Sequence, residues 1–290
     1  MKKLVLFLLL FVNIVVQAQS FSGSVLQIAS PSKIDGTAGS GSGANNDVNA
    51  LYLNPAGLGQ IVDTEILLFY KNYYKDLSLI SGGAVYPVPD IGVFGFKASY
   101  FGMPADGDVI FNEICVGLSA SRNLIDNLNI GLNANYLYSR LSEYKAGTMS
   151  FDLGLSYKLD IPKTLYRNIL GVGVVVKNLG PGLKYNAMRE PLNVETVLGL
   201  FYQFATKYSF FYDAQLLKEG IYSHLGFEYN VNKNMQLRTG WNNTESNYKM
   251  FFGFSLNFAI EDYNLGVDYT LNPLNNLGEL SHNISVSIKI

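Results

Sequence analysis

Few groups in this chain could do chemistry. It holds two histidines, His224 and His282, and one cysteine, Cys115. A zinc centre needs three or four such ligands close together, and these residues cannot supply them. Cys115 stands among Ile114, Val116 and Leu118 and reads as packing. His224 precedes Glu228 on one strand face and reads as a structural polar contact; His282 also reads as structural. The run Gly36-Thr37-Ala38-Gly39-Ser40-Gly41-Ser42-Gly43 is not followed by Gly-Lys-Ser/Thr, so it is no phosphate cradle. No catalytic or metal site and no cofactor are implied. With a net charge of −2 there is no basic field to collect nucleic acid. What remains is a scatter of single charges, and their meaning depends on the elements that carry them.

The 290 residues are 15% charged, against about 25% in an ordinary soluble domain, and include 28 Gly, 20 Tyr and 18 Phe. That mixture excludes disorder and favours many short strands. From Thr64 onward the apolar signal has a period of two. Leu128, Ile130, Leu132, Ala134, Tyr136 and Tyr138 oppose Asn129, Gly131, Asn133 and Asn135. Phe151, Leu153 and Leu155 oppose Asp152, Gly154 and Ser156, and Ile284, Val286 and Ile288 oppose Ser285, Ser287 and Lys289. Successive strand side chains face opposite sides, so one face is greasy and the other small and polar. About fourteen such segments follow one another, near 64–71, 76–87, 91–101, 112–122, 127–139, 148–159, 167–178, 192–204, 207–216, 221–230, 234–242, 247–258, 262–270 and 280–290. Most approach the roughly 9–11 residues of a strand crossing a bilayer, and the even count suits an outer-membrane barrel. A secreted β-sandwich would alternate too, but its polar face would meet water and carry more Lys, Glu and Thr. The expected fold is therefore all-β, a transmembrane antiparallel barrel of about 14 strands.

Connections near 88–90, 205–206, 231–233 and 259–261 read as short. Those near 102–111, 140–147, 179–191 and 271–279 read as long, with Pro104, Gly107, Pro181 and Pro273 among their turn formers. Phe252, Phe254, Leu256 and Phe258 should face lipid, and Gly253, Ser255 and Asn257 the lumen. On that register Phe254→Lys should harm assembly far more than Ser255→Lys, whose side chain could reach lumenal water.

Lys2 and Lys3, the apolar stretch Leu4–Val16 and Val16-Gln17-Ala18 form a signal peptide over 1–18. Its apolar core is shorter than the roughly 18 residues of a spanning helix. Residues 19–63 do not read as strands. Their second half, from Asp47 to Leu58, is too patterned for a linker, with Val48, Leu51, Leu53 and Leu58 apolar around Asn54-Pro55.

The run Asp47-Val48-Asn49-Ala50-Leu51-Tyr52-Leu53-Asn54-Pro55-Ala56-Gly57-Leu58 resembles the N-terminal signature of FadL-like outer-membrane proteins. Val176-Lys177-Asn178-Leu179-Gly180-Pro181-Gly182-Leu183, the stretch Pro191–Phe204, and Asn272-Pro273-Leu274 through His282-Asn283-Ile284-Ser285 resemble segments of the PorV/PorQ branch found in Bacteroidetes. The resemblance implies a hatch over 19–63, with Asp47, Asn54, Pro55, Ala56 and Gly57 as its motif, inside a barrel over 64–290. It also implies one of two roles. PorV-type members serve the type IX secretion system, which makes secretion proteins the partners. FadL-type members pass hydrophobic molecules through the lumen and out sideways through the wall, which makes a hydrophobic ligand the partner. Outer-membrane lipid is the partner in either case. The chain is shorter than many relatives, so the outer loops should be reduced, and it ends on Ile290 rather than an aromatic.

By parity Lys97, Lys158, Lys177 and Arg238 face inward, as do Asp152, Asp213, Glu228 and Asp268. A selective ion pore is expected to show rings of one sign. Balanced charges instead tie a plug to a wall. Val175, Phe201 and Phe211 also face inward, either lining an apolar path or packing against the hatch.

Overall fold

A computed structural model describes residues 23–44, 46–74, 76–103, 110–125, 127–161, 168–186, 188–244, 247–273 and 280–290. The expected signal peptide lies outside these residues, as do Pro104, Gly107 and residues 274–279 of the expected 271–279 connection.

Fourteen strands close into one antiparallel barrel. They are β1 (Glu65–Tyr74), β2 (Leu77–Val88), β3 (Gly92–Gly102), β4 (Phe111–Ile125), β5 (Leu128–Leu141), β6 (Tyr144–Ile161), β7 (Asn168–Leu179), β10 (Glu195–Phe204), β11 (Tyr208–Leu217), β12 (Gly220–Asn230), β13 (Met235–Thr244), β14 (Asn247–Ile260), β15 (Tyr263–Pro273) and β16 (Leu280–Lys289). Each pairs with its neighbours in chain order, and β1 closes on β16 from Glu65↔Lys289 to Lys71↔Asn283. No sheet edge is left, which is the condition for backbone in hydrocarbon. The connection between β7 and β10 carries a small hairpin, β8 (Leu183–Tyr185) with β9 (Met188–Glu190).

One expectation about connections needs correction. The stretch 140–147 is not a long loop: β5 runs into β6 through Ser142 and Glu143 alone, with Ser142 at φ 53. Several turns on the same end are equally short, between β1 and β2 and between β11 and β12.

Burial runs opposite to that of a soluble protein. On β5, Asn129, Asn133, Asn135 and Ser139 are buried while Ile130, Leu132 and Tyr136 are exposed. On β14, Phe252 is 53% exposed and Ser255 2%. A sandwich would bury the apolar face; here that face surrounds the molecule, as a bilayer-covered exterior must. Phe254→Lys, at mid-strand on the outer face, is expected to cost about 2–4 kcal/mol of folding free energy into vesicles, and Phe258→Lys, nearer the strand end, about 0–1 kcal/mol. Urea titration of the vesicle-folded barrel measures both, and equal costs would contradict the membrane register. The gentle expectation for Ser255→Lys fails for a different reason. Ser255 does not face open water; its hydroxyl lies between Arg238 and Asp268.

The described part of the segment before β1 lies against the inner wall. Residues from Gly23 to Ile61 form short helical pieces, Ser24–Ile28, Ser32–Asp35, Ala50–Leu53 and the 3-10 turn Pro55–Gln60, that touch inward-facing residues of nearly every strand. Val25, Val48, Leu51, Leu53, Leu58 and Ile61 pack against inward Leu67, Phe69, Leu79, Val85, Val93, Phe101 and Leu137. The apolar part of the interior is thus concentrated where this segment meets β1–β5.

Candidate functional site

Strand interiors tolerate glycine poorly unless another backbone must come close. Here three cross-strand pairs of inward glycines meet that condition: Gly131↔Gly154, Gly173↔Gly199 and Gly226↔Gly240. A Cβ on any of them would come closer than 3.0 Å to the N-terminal segment. Gly131 and Gly154 face Asn54, Pro55 and Ala56; Gly173 and Gly199 face Ser42 and Gly43; Gly226 and Gly240 face Thr37 and Ala38. The segment therefore lies on bare wall at three places around the barrel.

Asn54-Pro55 shapes one of these contacts. A residue before proline is held out of the helical region, and Asn54 is extended at φ −148, ψ 108. Pro55 then opens the 3-10 turn, where its missing N–H costs nothing. The Asn54 side chain accepts from the Ala56 N–H (3.1 Å) and donates to the Ser42 and Leu155 carbonyls (2.9 and 3.1 Å). The Gly57 N–H returns to the Asn54 carbonyl at 2.9 Å. All four residues are buried.

Polar ties complete the attachment. Lys97 Nζ donates to the Leu51 carbonyl (2.7 Å), and so does Asn133 Nδ2 (3.2 Å), meeting an acceptor left open at a helix end. Asp213 accepts from the Ser42 N–H at 3.0 Å. Three further ties involve carboxylates that parity alone did not single out. Glu113 accepts from the Gly23 and Val25 N–H groups (3.2 and 2.8 Å), Glu65 from Val48 N–H (2.8 Å), and Asp35 pairs with Lys71 at 2.7 Å. Glu113 shares the parity of inward Cys115, so its direction was readable. In β1 apolar residues occupy both faces, which hid Lys71.

The other inward charges tie wall to wall. Arg238, 1% exposed along its side chain, bonds Glu228 (2.6 Å), Asp268 (3.1 Å) and Gln236 (2.7 Å). Lys177 pairs with Glu195 at 2.7 Å. Asp152 accepts from Asn133 and Asn135 Nδ2 and the Asn178 N–H. Lys158 is half-buried. His224 contacts the Ala38 carbonyl (2.7 Å) and Gln215 Oε1 (3.1 Å), not Glu228 as its spacing suggests. His282 faces outward against the Tyr269 hydroxyl. Val175 and Phe201 are buried, with the Phe201 and Phe211 rings 5.2 Å apart.

Asp47 is tied within the N-terminal segment. It pairs with Lys33 at 2.6 Å and accepts from the Asn49 N–H at 3.0 Å, closing the turn before helix Ala50–Leu53. Burial alone would push its carboxyl up; Lys33 and the Asn49 N–H groups outweigh that and hold it below the usual range. A depressed carboxyl stabilises the fold above its unfolded value and loses that contribution as pH falls through the folded one. Amide protection across 47–53, taken relative to the intrinsic exchange rate at each pH, is expected to fall in acid below the ordinary carboxylate range, and Asp47→Asn to reproduce the loss at neutral pH. Protection that does not change with pH in the parent chain would contradict this role.

Two hollows remain. A lumenal cavity of about 270 Å³ is lined by both apolar and charged groups, among them Tyr73, Phe251, His224, Asn242, Lys249 and Asn272. An outer cleft of about 570 Å³ is almost wholly apolar, walled by Leu225, Phe227, Trp241 and Met250 with Gly226 and Gly240 in its lining. Ala38 and Gly39 line the cavity, and Ala38 lies against the inner side of Gly240. Backbone alone separates the N-terminal segment from the cleft there.

No family model matches the sequence, and no curated protein matches it. Solved structures do. A Pseudomonas aeruginosa FadL homologue is 14% identical with a TM-score of 0.59, over 90% of this chain and 98% of that one. The Ralstonia pickettii toluene transporter TbuX is 12% identical at TM-score 0.62, over 89% and 97%. The Pseudomonas putida toluene transporter TodX is 13% identical at 0.57, over 89% and 96%. At these identities the likeness establishes a shared fold, that of the FadL-type barrel.

Proposed function

We infer that the chain is an outer-membrane carrier of small compounds with a largely apolar body, exported by its 1–18 signal peptide, with residues 19–63 as hatch and 64–290 as barrel. The observation that carries this reading is the position of the two hollows. The N-terminal segment packs against the inner wall, while a lumenal cavity and a lipid-facing apolar cleft flank the same stretch of wall at Gly226 and Gly240. A small shift of Thr37–Gly39 and of that glycine pair would join them, giving a sideways exit into lipid. Neighbours of the same fold that are named as toluene transporters support the substrate class. Expression in a Gram-negative host that lacks such a carrier should raise the initial uptake of labelled toluene over a vector control. A folded, surface-assembled barrel with no increase would overturn the reading.

The type IX secretion role rests on the motif resemblance, and the short outer turns between strands suit it, since they leave little surface for a ligand groove. The three neighbours described above are named as a FadL homologue and as toluene transporters, and lend it no support. Purification of the barrel from native membranes in complex with secretion proteins, together with unchanged toluene uptake, would make it the better account.

A further inference from the structure

Register gives the outer cleft a floor and two walls. The floor is a row of cross-strand neighbours, Phe201, Phe211, Gly226 and Gly240, on β10, β11, β12 and β13. Outward side chains stand on either side of it, with Leu225 and Trp241 paired in one wall and Phe210 and Phe227 in the other. The cleft therefore runs across four strands, about 14 Å at the ordinary inter-strand spacing. An elongated apolar groove on a lipid-facing wall has the shape of a hydrocarbon chain.

The two longest connections, from Gly102 to Phe111 and from Leu179 to Glu195, share one end of the barrel. In outer-membrane barrels the longer loops are extracellular, so the β10–β11 and β12–β13 turns lie on the periplasmic rim, at the foot of the cleft. There the outward rings of Phe204, Tyr208 and Tyr229 stack in a row, 6.4 and 5.4 Å apart, as an aromatic belt does at headgroup level. Lys207 is exposed and reaches its ammonium over Tyr208 and Tyr229, 5.9 and 5.2 Å from the ring centres. Lys233 is exposed in the β12–β13 turn, and the two turns are tied together. Asn230 donates through its N–H to the Lys207 carbonyl (2.9 Å) and through Nδ2 to the Thr206 carbonyl (2.7 Å). Neither lysine forms an ion pair among the described residues. These two turns carry no acid, whereas on the same rim the β2–β3 turn holds Asp90 and the β14–β15 turn Glu261 and Asp262. The rim is positive where the cleft begins.

We propose that this cleft seats an acyl chain of an acidic glycerophospholipid from the periplasmic leaflet, with the lipid phosphate against Lys207 and Lys233. Depth selects the leaflet. Phe227 and Leu225 stand two and four residues above Tyr229 on β12, about 7 and 14 Å along the strand. With the usual strand tilt they lie about 5 and 10 Å below the headgroups, within one half of an apolar band about 25 Å tall. Charge selects the headgroup, because two unpaired ammonium groups complement a phosphate that carries no cation of its own. The inference rests on the membrane register and not on the carrier reading.

Trp241 is the one tryptophan of the chain and lines the cleft, so its fluorescence reports a bromine-labelled chain seated there. The full chain is folded into phosphatidylcholine vesicles, its fold checked by heat-modifiable migration. Dibrominated phosphatidylglycerol, which is acidic, or dibrominated phosphatidylcholine, which is zwitterionic, is then included at equal mole fraction. Quenching by phosphatidylcholine measures ordinary boundary lipid. Phosphatidylglycerol is expected to hold the seat about fivefold more tightly for each lysine, and so to quench Trp241 more strongly at low mole fraction. The double variant Lys207→Gln, Lys233→Gln, altered only in exposed turns, should bring the two lipids level. Native mass spectrometry should find one phosphatidylglycerol retained by the parent barrel and lost from the double variant. Three results would each overturn the proposal: equal quenching by the two lipids in the parent, a preference that survives in the double variant, or no quenching by either lipid because a second copy of the chain covers the cleft. Toluene uptake enters no arm of this test, so the carrier reading stands or fails separately.

Discussion

Gly131→Val should release the Asn54–Gln60 turn from the wall while the fourteen strands still assemble. A Cβ on Gly131 would lie inside 3.0 Å of backbone atoms of Pro55 and Ala56, and one on its cross-strand partner Gly154 inside 3.0 Å of Asn54 Oδ1. Backbone on both sides cannot swing away as a side-chain tip can. Overpacking typically costs about 1–3 kcal/mol, and this site belongs at the upper end. In a segment that opens locally, such a cost raises amide exchange of Ala56, Gly57 and Leu58 by about 5- to 150-fold. Gly266→Ala is the control, because its nearest neighbour is the Ser287 hydroxyl and no part of the N-terminal segment. Exchange mass spectrometry reads both. Unchanged protection in a folded Gly131→Val barrel would mean that the turn is not held by this contact.

A larger loss of stability is expected from Arg238→Met. The guanidinium joins Glu228 on β12 to Asp268 on β15 and also reaches Ser255 and Gln236, with almost none of its side chain exposed. Removing it leaves two carboxylates buried without a cation. Breaking a buried pair in this way costs about 3–5 kcal/mol, whereas replacing the whole group by neutral residues of similar size is often tolerated. The single variant should therefore lose its compact, heat-modifiable form at markedly lower temperature. Adding Glu228→Gln and Asp268→Asn should restore most of the loss. If the triple variant is no better than the single one, packing of the arginine stem is the dominant contribution and not charge.

Most of the barrel was legible because strand parity is local. On β5, β6 and β14 a greasy residue alternates with a small or polar one, and no knowledge of the partner strand is needed. Parity also gave the inward direction of Arg238, Asp268, Glu228 and Lys97. It could not show what they would meet, since ladder register and the path of residues 23–61 are long-range facts. The inward glycines Gly131, Gly154, Gly226 and Gly240 were visible as a small-residue face, yet their use as contact points appears only once Asn54 and Ala38 are placed against them. The turn at Ser142 was missed for a physical reason. β6 has 18 residues, more than the roughly 9–11 a bilayer requires, so the outer ends of β5 and β6 leave the hydrocarbon and lose the apolar alternation. The hairpin β8–β9, with three residues per strand, is too short to show any period.

The central proposal, that residues 19–63 act as a hatch and seal the lumen, is tested most directly by ion conductance in planar lipid bilayers. The intact mature chain should insert and pass no steady current. Deletion of residues 36–58, which removes the contacts at Gly131, Gly154, Gly173, Gly199, Gly226 and Gly240, should leave a heat-modifiable barrel that conducts continuously. Equal conductance from the intact and deleted chains, with both folded, would show that the N-terminal segment does not seal the lumen.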